Sequence, residues 1–179
     1  PGWMNPDFDD GRWNRNQGGF GYGDGDDRTE IPMDRISVYT RITFQITDVS
    51  KIIAATLNVD YDDGFAAYLN GREIARVNLS HTAWNSTADV SREAIMFQGK
   101  RPESFDLDMK QLGSLVHDGT NTLAIEGHNF TAGLIDMSLR AFLSFVLSVI
   151  LQNPKPHQNF LQKIWKNALQ KNHTWEYEL

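Results

Sequence analysis

Apolar and polar residues alternate with a period of two along much of the chain. In residues 36–46, ISVYTRITFQI, Val38 and Ile42 fall on one face, and Tyr39 and Arg41 fall on the other. Such alternation is typical of a β-strand with one buried face. Similar segments predict further strands over residues 52–60, 65–69, 73–77, 104–107, 121–129 and 138–149. Turn signals separate these segments and only one of the others suggests a helical turn, so the pattern predicts an all-β fold, an antiparallel β-sandwich.

The segment that follows residue 151 has a different pattern. Pro154 and Pro156 interrupt the chain, because proline lacks the amide hydrogen that helices and inner strands need. Beyond them, apolar residues recur at helical spacing: Phe160, Leu161, Ile164, Trp165, Ala168 and Leu169. This spacing predicts a short C-terminal amphipathic helix. We therefore divide the chain into a sandwich over residues 1–151 and a linker with a helical tail over residues 152–179. The tail packs on the sandwich, belongs to the next segment of a longer protein, or binds a membrane surface or a partner.

Composition and charge narrow the range of functions. The net charge of −6 argues against a nucleic-acid partner, since a phosphate backbone needs a basic surface. The chain has no cysteine, which excludes disulfides, thiol catalysis and cysteine-bound zinc. The longest apolar run, residues 141–151, is shorter than the roughly 20 residues that a membrane-spanning helix needs. The histidines lack the spacing of a zinc site, and neither a nucleophile elbow nor a phosphate-binding loop is present.

A turn with three carboxylates precedes the clearest hairpin signal. Asp60, Asp62 and Asp63 lead into Gly64, and the Asn-Gly pair at 70–71 is the strongest short signal for a hairpin. Neighbouring side chains on a turn point apart, whereas acid–base hydrolysis needs two carboxyl groups across a cleft. We therefore interpret these aspartates as acceptors for backbone N–H groups of the turn rather than as a catalytic pair. A share in a metal or ligand site is the remaining alternative.

Four segments resemble a known family. They are DDGFAAYLNGREIAR at 62–76, FDDGRW at 8–13, GFGYGDGD at 19–26 and NTLAIEGHN at 121–129. In this order they are similar to the galactose-binding-like jelly rolls of large secreted bacterial proteins, including the sugar-binding domains of glycoside hydrolases. The resemblance implies a galactose-binding-like β-sandwich over residues 1–151, a secreted or cell-surface location in bacteria, and neighbouring domains in a longer chain.

The same resemblance implies a structural Ca²⁺ ion, since galactose-binding-like sandwiches often hold one. Asp24, Asp26 and Asp27 lie in a glycine-rich loop. Carboxylates at alternate positions, together with carbonyls that glycine leaves exposed, supply the hard oxygen ligands that Ca²⁺ prefers. The spacing differs from that of an EF-hand loop. The alternative is a solvated turn that is capped by its own side chains.

Aromatic and planar polar residues predict a sugar site, because sugars stack their C–H faces on rings and hydrogen-bond through their hydroxyls. Trp84 lies in a polar loop, HTAWNSTAD, and has no periodic reason to be buried. His128 and Asn129 end a predicted strand at a loop, where binding residues concentrate. Tyr39 and Arg41 share one strand face. We predict that these five side chains bind a glycan. The alternatives are a Trp84 lid over the sandwich edge, a structural hydrogen-bonded His128 and an Arg41 surface salt bridge.

Three functions follow from these observations. The leading hypothesis is a non-catalytic carbohydrate-binding or adhesive accessory module, whose partners are a polysaccharide and the neighbouring domains of its chain. The second is a structural spacer or docking sandwich without a glycan ligand. The third is a glycoside hydrolase or lyase on a jelly roll, which ranks last because no convergent acid–base pair is visible in the sequence.

Trp3 and Trp13 are expected to plug the core beneath the N-terminal loop.

Overall fold

The computed structural model describes residues 2–23, 25, 27–133, 135–148, 164–167 and 174–178. Within these residues the regular elements are β1 Asn14–Gln17, β2 Phe20–Tyr22, β3 Thr29–Glu30, β4 Ser37–Ile46, β5 Ile52–Asp62, β6 Gly64–Leu69, β7 Arg72–Val77, β8 Glu103–Leu107, α1 Met109–Leu115, β9 Gly119–His128, β10 Met137–Leu147, β11 Ile164–Asn167 and β12 Thr174–Glu178. The predicted all-β sandwich is confirmed, and each predicted strand overlaps an observed one.

Two sheets build the sandwich. The first has the strand order β1-β12-β4-β9-β6-β7, and the second has the order β3-β2-β10-β5-β8, with β11 added to β10. The described pairs are antiparallel, apart from the short parallel pair of β2 and β3. The β4–β9 pair runs from Ser37 opposite His128 to Ile46 opposite Gly119. The end of this pair at Ser37 and His128 lies beside the loop that follows β7, because Ser37 Oγ donates to the Trp84 carbonyl at 2.8 Å and His128 Nδ1 lies 2.9 Å from the Ser86 carbonyl.

The inner faces of the two sheets enclose the main core. Val38 and Ile42 of β4, Leu57 of β5, Leu123 of β9 and Leu143 of β10 are almost wholly buried there. Each such side chain contributes about 1.5–3 kcal/mol when it leaves water. The alternating pattern therefore determines which face of a strand turns inward, as the sequence predicts for β4.

Strands β6 and β7 form the predicted hairpin. Asn70 and Gly71 have positive φ angles of 49° and 83°, as the turn of a two-residue hairpin requires. The Asn70 side chain also donates to the Leu115 carbonyl at 2.7 Å and accepts from the Thr122 N–H at 2.8 Å. The turn residue therefore also ties the hairpin to β9 and to the end of α1.

The N-terminal segment covers part of the outer face of the first sheet and forms a second, smaller core. Trp3 packs edge-on against Tyr68, with ring centroids 5.7 Å apart, and stacks with Trp13 at 6.2 Å. Arg41 anchors the segment, because its Nε pairs with Asp10 Oδ2 at 2.8 Å and its Nη1 donates to the Trp3 carbonyl. The sequence predicts a loop here, and the structure adds three short strands to it, β1 to β3.

Beyond residue 151 the structure describes residues 164–167 and 174–178, and both segments are strands. Strand β11 pairs with the end of β10, and β12 lies between β1 and β4. The sequence predicts an amphipathic helix over 160–169, but Ile164–Asn167 is a strand, and the rest of the predicted helix lies outside the described residues. Helix propensity is weak beside the hydrogen bonds that a sheet edge offers to an incoming chain. No helix in the described part of the chain is long and apolar enough to cross a membrane.

Candidate functional site

An aromatic cleft with a volume of about 620 Å³ opens on the outer side of the first sheet. Three parts of the chain supply most of its walls: the N-terminal segment, the start of β4 and the loop that follows β7. Five rings line it: Trp3, Phe8, Trp13, Tyr39 and Trp84. A cleft of this size is within the range of small-molecule sites, and rings rather than aliphatic side chains dominate its apolar surface.

Four of the five rings contact one another. Trp3 is buried, with 8% of its surface exposed. Two rings pack against Trp3. Tyr39 packs edge-on, with ring centroids 5.0 Å apart, and Trp13 is stacked, with ring centroids 6.2 Å apart. Phe8 packs edge-on against Trp13 at 5.6 Å. These contacts hold this part of the cleft in shape, so a ligand does not have to order it.

Tyr39 keeps its phenolic proton at neutral pH. Burial raises the pKa of Tyr39 to about 12, and the negative charge of Glu126, which lies opposite Tyr39 in the β4–β9 pair, adds to the rise. The hydroxyl also hydrogen-bonds the Glu126 carboxylate, and as a neutral phenol it keeps lone pairs that can accept from a ligand hydroxyl.

Trp84 is the exposed ring of the set, with 74% of its surface open to solvent. Its loop is nevertheless anchored through the backbone. Ser37 Oγ donates to the Trp84 carbonyl at 2.8 Å, and Ser86 Oγ donates to the Ala83 carbonyl at 2.7 Å. The indole therefore stands in solvent at the cleft while the backbone behind it is held.

His128 and Asn129 lie behind this loop rather than in the cleft. Both side chains are fully buried. His128 Nδ1 lies 2.9 Å from the Ser86 carbonyl, and its Nε2 lies 3.2 Å from Glu126 Oε2. The Asn129 side chain donates through Nδ2 to Tyr22 Oη at 2.7 Å, and its backbone carbonyl accepts from the Ala88 N–H at 2.8 Å. The sequence predicts both as ligand residues, but the structure turns them toward protein partners, and they act on the cleft only through the loop they hold.

Arg41 is also buried, with 1% of its surface exposed. Besides its salt bridge to Asp10, its guanidinium carbon lies 5.3 Å from the centre of the Phe8 ring. It therefore holds the N-terminal segment against the sheet and does not line the cleft. Of the side chains that the sequence predicts for a glycan, Tyr39 and Trp84 are the two brought together there.

Charged and polar side chains share the cleft with the rings. Asp9, Arg12 and Glu178 are exposed, and Thr82 adds a hydroxyl. Carboxylates accept hydrogen bonds from hydroxyls, and a guanidinium donates several in one plane. Sequence reasoning missed these residues, because they come from both ends of the chain. The one available signal is the FDDGRW segment, which contains both Asp9 and Arg12.

A cluster of carboxylates lies elsewhere in the structure. Oxygens of Asp62, Glu93 and Asp136 fall within 4.8 Å of one another. Asp62 is 5% exposed, and burial, followed by the negative charges of its carboxylate neighbours, raises the pKa of Asp62 to about 9. Carboxylates this close need a proton or a cation to offset their repulsion. Sequence reasoning places Asp62 on a turn, and it missed the two partners because they come from other loops.

The remaining aspartates of that turn accept backbone hydrogen bonds. Asp60 accepts from the N–H groups of Ile95 and Met96, at 2.9 and 2.7 Å. Asp63 accepts from the N–H groups of Arg92 and Phe130, at 2.5 and 2.6 Å. The interpretation as backbone acceptors holds for both, but the donors lie on distant loops rather than on the turn itself.

The predicted calcium loop is described only in part. Asp24 and Asp26 lie outside the described residues. Asp27 Oδ2 accepts from Ser138 Oγ at 3.3 Å, which ties the loop to β10. Calcium at this loop stays a prediction.

No family model and no curated protein matches the sequence. Among solved structures, an α-L-rhamnosidase of Streptomyces avermitilis in complex with L-rhamnose is similar over 80% of this chain and 10% of its own, with 22% identity and a TM-score of 0.44. An α-L-rhamnosidase of Aspergillus terreus is similar over 91% of this chain and 16% of its own, with 11% identity and a TM-score of 0.45. A Pleurotus ostreatus lectin is similar over 80% of this chain and 30% of its own, with 14% identity and a TM-score of 0.35. The chain spans less than a third of each of these proteins, and likenesses this distant carry no conclusion about its ligand.

Proposed function

We propose that the chain is a non-catalytic carbohydrate-binding or adhesive module. The observation that carries the proposal is the aromatic cleft, in which four packed rings and the exposed Trp84 surround a volume of about 620 Å³. The chain leaves 74% of a tryptophan in water, although indole burial is strongly favourable, and that arrangement fits a ring kept for a ligand.

In this proposal, Trp84 stacks on the C–H face of a sugar ring. The Tyr39 hydroxyl and the exposed side chains of Asp9, Arg12 and Glu178 bond the hydroxyls that point away from the ring plane. One cleft of this kind binds weakly, and its benefit comes from tethering a neighbouring domain to a polymer that offers many copies of the same sugar.

Binding to a glycan array or to polysaccharide affinity gels tests the proposal. Trp84→Ala should weaken retention by about tenfold, since a stacking contact of about 1.4 kcal/mol is lost. Phe97→Ala is the matched control, because Phe97 is an exposed ring, 48% open to solvent, that does not line the cleft. An array without any bound glycan would reject the proposal and favour a spacer or docking sandwich.

The finer identification rests on the sequence resemblance. We propose that the sandwich is galactose-binding-like, that its chain is secreted or displayed on a bacterial surface beside other domains, and that a structural Ca²⁺ ion holds the loop of Asp24, Asp26 and Asp27. What supports the fold is the presence of two largely antiparallel sheets, with the predicted β6–β7 hairpin at one edge of the first sheet.

The carboxylate cluster favours a second candidate, a jelly-roll glycoside hydrolase or lyase. Retaining glycosidases place two carboxyl groups about 5 Å apart, one of them protonated at neutral pH. Asp62 and Asp136 have oxygens within 4.8 Å, and the pKa of Asp62 is raised to about 9. This candidate ranks second because none of the three carboxylates lines the described cleft. Polymer cleavage that disappears in Asp62→Asn would establish it.

A further inference from the structure

Tyr39 stands between two glutamates on the outer face of the first sheet. Its strand, β4, lies between β12 and β9, and Tyr39 is opposite Glu178 of β12 and Glu126 of β9. Side chains that are directly opposite on neighbouring strands share one face of the sheet, with Cβ atoms about 5 Å apart. Glu126 is buried, whereas Glu178 is exposed and lines the cleft. A row of two carboxylates with one phenol between them therefore crosses the sheet at the cleft.

A third carboxylate comes from the N-terminal segment. Asp9 is exposed and lines the cleft, and its Oδ1 accepts from the backbone N–H two residues further on at 3.0 Å. None of the ion pairs in the described part of the chain involves Asp9 or Glu178. Arg12 is the positively charged residue of the cleft, since Arg41 is buried and paired with Asp10 at 2.8 Å. Two carboxylates against one guanidinium leave the lining with a net negative charge.

The polar groups around Tyr39 are mostly hydrogen-bond acceptors. Ionised carboxylates only accept. The Tyr39 hydroxyl hydrogen-bonds the Glu126 carboxylate, so its hydrogen is already donated and its lone pairs remain for a ligand. A protonated amine matches such a lining better than a hydroxyl does, because an ammonium group has three donors and no acceptor, whereas a hydroxyl has one donor.

The rings of the cleft favour the same charge. The face of an aromatic ring is its negative side, and a cation within about 6 Å of the ring centre is attracted to it, most strongly by tryptophan. Three of the five lining rings are tryptophans: Trp3, Trp13 and Trp84. A cleft with apolar walls and one sign of charge also concentrates ligands of the opposite charge. Rings and carboxylates therefore attract the same class of ligand.

We propose that the cleft binds glycans with a free, protonated amine, in which an ammonium group replaces a hydroxyl of the sugar, in preference to neutral or acidic glycans. The ammonium group hydrogen-bonds to Asp9, Glu178 and the Tyr39 hydroxyl, while Trp84 stacks on the sugar ring. A uronic acid would instead bring a further carboxylate beside two others. The inference rests on the proposed function of the cleft and adds the class of sugar to it.

Oligosaccharides that differ only at C2 test the proposal: glucosamine against glucose, and galactosamine against galactose. At about pH 6, where a primary amine is protonated, the unmodified chain should bind the amino form about fivefold more tightly, as two exposed ion pairs would produce. Oligogalacturonate should bind less tightly than the galactose oligomer. Titration calorimetry measures these affinities.

Equal binding of the amino and hydroxyl forms, or tighter binding of the acidic form, overturns the inference and leaves the proposed function in place. The same holds if the chain binds none of these oligosaccharides but retains another glycan on the array. An array without any bound glycan rejects both.

Variants of the charged residues locate the preference. Asp9→Asn and Glu178→Gln should each lower the affinity ratio of amino to hydroxyl form by about half, and together bring it to about one. Arg12→Gln should raise the ratio about twofold, because it removes the opposing charge. Glu30→Gln is the matched control, since Glu30 is exposed on β3 of the other sheet and its loss changes the net charge as much as either single variant. An equal fall in Glu30→Gln would mean that the overall charge of the chain attracts the amine, and it overturns the proposal.

Discussion

Glu126 and Asp62 are both carboxylates on sheet strands that solvent hardly reaches, yet their partners are of opposite kinds. Glu126, on β9, accepts from Tyr68 Oη at 2.7 Å and lies 3.2 Å from His128 Nε2. Asp62, at the end of β5, faces other carboxylates, and burial with their negative charge raises its pKa to about 9. Hydrogen-bond donors surround the first carboxylate, and acids surround the second.

The two regions therefore differ in whether they need a proton or a cation from solution. Glu126 has its partners, Tyr68 and His128, within the chain, and His128 contacts the loop at the cleft. The cluster of Asp62 is balanced only when a proton or a cation enters it. A carboxylate buried among donors therefore contributes to the structure, whereas one buried among carboxylates responds to pH and to dissolved ions.

The largest expected effect on stability comes from removing the Glu126 carboxylate in the first region. Glu126→Ala leaves the Tyr68 hydroxyl and the His128 ring in a buried space without their acceptor, and it should lower the free energy of unfolding by about 3–5 kcal/mol at pH 7. Chemical denaturation measures this. Glu73→Ala is the control, because Glu73 pairs with Arg76 at the surface and its loss should cost at most about 1 kcal/mol. Equal losses in the two variants would mean that burial of Glu126 adds nothing.

In the second region a substitution, Asp62→Asn, is expected to raise the free energy of unfolding, by less than Glu126→Ala lowers it. The pKa of Asp62 lies above its ordinary value of 3.8, so between about pH 4 and pH 9 the folded chain holds a proton that the unfolded chain has released. The contribution of this group is therefore full below about pH 4 and is lost as pH rises toward 9, by up to about 1.4 kcal/mol per pH unit. Asp62→Asn removes the slope and should raise stability by about 2 kcal/mol at pH 8.

Asp60→Asn is the matched control for that variant. Its carboxylate accepts from two backbone N–H groups, those of Ile95 and Met96, and an amide replaces one of these acceptors with a donor. It should therefore destabilise the chain where Asp62→Asn stabilises it, by about 1–3 kcal/mol. Denaturation curves between pH 5 and about pH 9 compare the two. A slope that survives in Asp62→Asn would show that another group titrates.

Chelation of calcium tests whether a cation binds the chain, and whether it binds at the predicted loop or at the carboxylate cluster. If the loop of Asp24, Asp26 and Asp27 binds Ca²⁺, a chelator should lower the melting temperature by about 2–4 °C for each kcal/mol of binding energy that is lost. Asp27→Asn should abolish this effect, and Asp62→Asn should leave it in place. A melting temperature that the chelator does not move would refute the calcium prediction, and an effect that disappears in Asp62→Asn would place the ion at the carboxylate cluster.

The fold was predictable from sequence where local and long-range preferences agree. Alternation in β4 and the Asn70-Gly71 pair indicate the same antiparallel sandwich that packing requires, so strands and hairpin were found within a few residues. The strand Ile164–Asn167 was not predicted, because the apolar spacing of this segment suits a helix. In the folded chain the open edge of β10 pairs with it as a strand. That edge exists only after the sheet has formed, so local spacing does not reveal it.

The site was predictable only in its exposed parts. Trp84 and Tyr39 were identified because an aromatic residue in a polar loop, or on a strand face, suggests a ligand surface. Arg41 and His128 have equally suggestive residue types, yet both are buried and bonded to the protein. Burial depends on which segment covers a strand, and for Arg41 that cover comes from residues about thirty positions away.

The smallest expected effect on stability is that of Trp84, although it lies next to the region with the largest. Its indole is 74% exposed, so Trp84→Ala should change the free energy of unfolding by less than about 0.5 kcal/mol. Trp3→Ala is the matched variant in the same cleft, and it should cost about 3–5 kcal/mol because that ring is buried against Tyr39 and Tyr68. Denaturation of both variants, together with glycan binding by Trp84→Ala, separates the two roles. A large loss of stability in Trp84→Ala would mean that the indole packs as a lid on the sandwich, and that the network behind its loop serves the fold rather than a ligand.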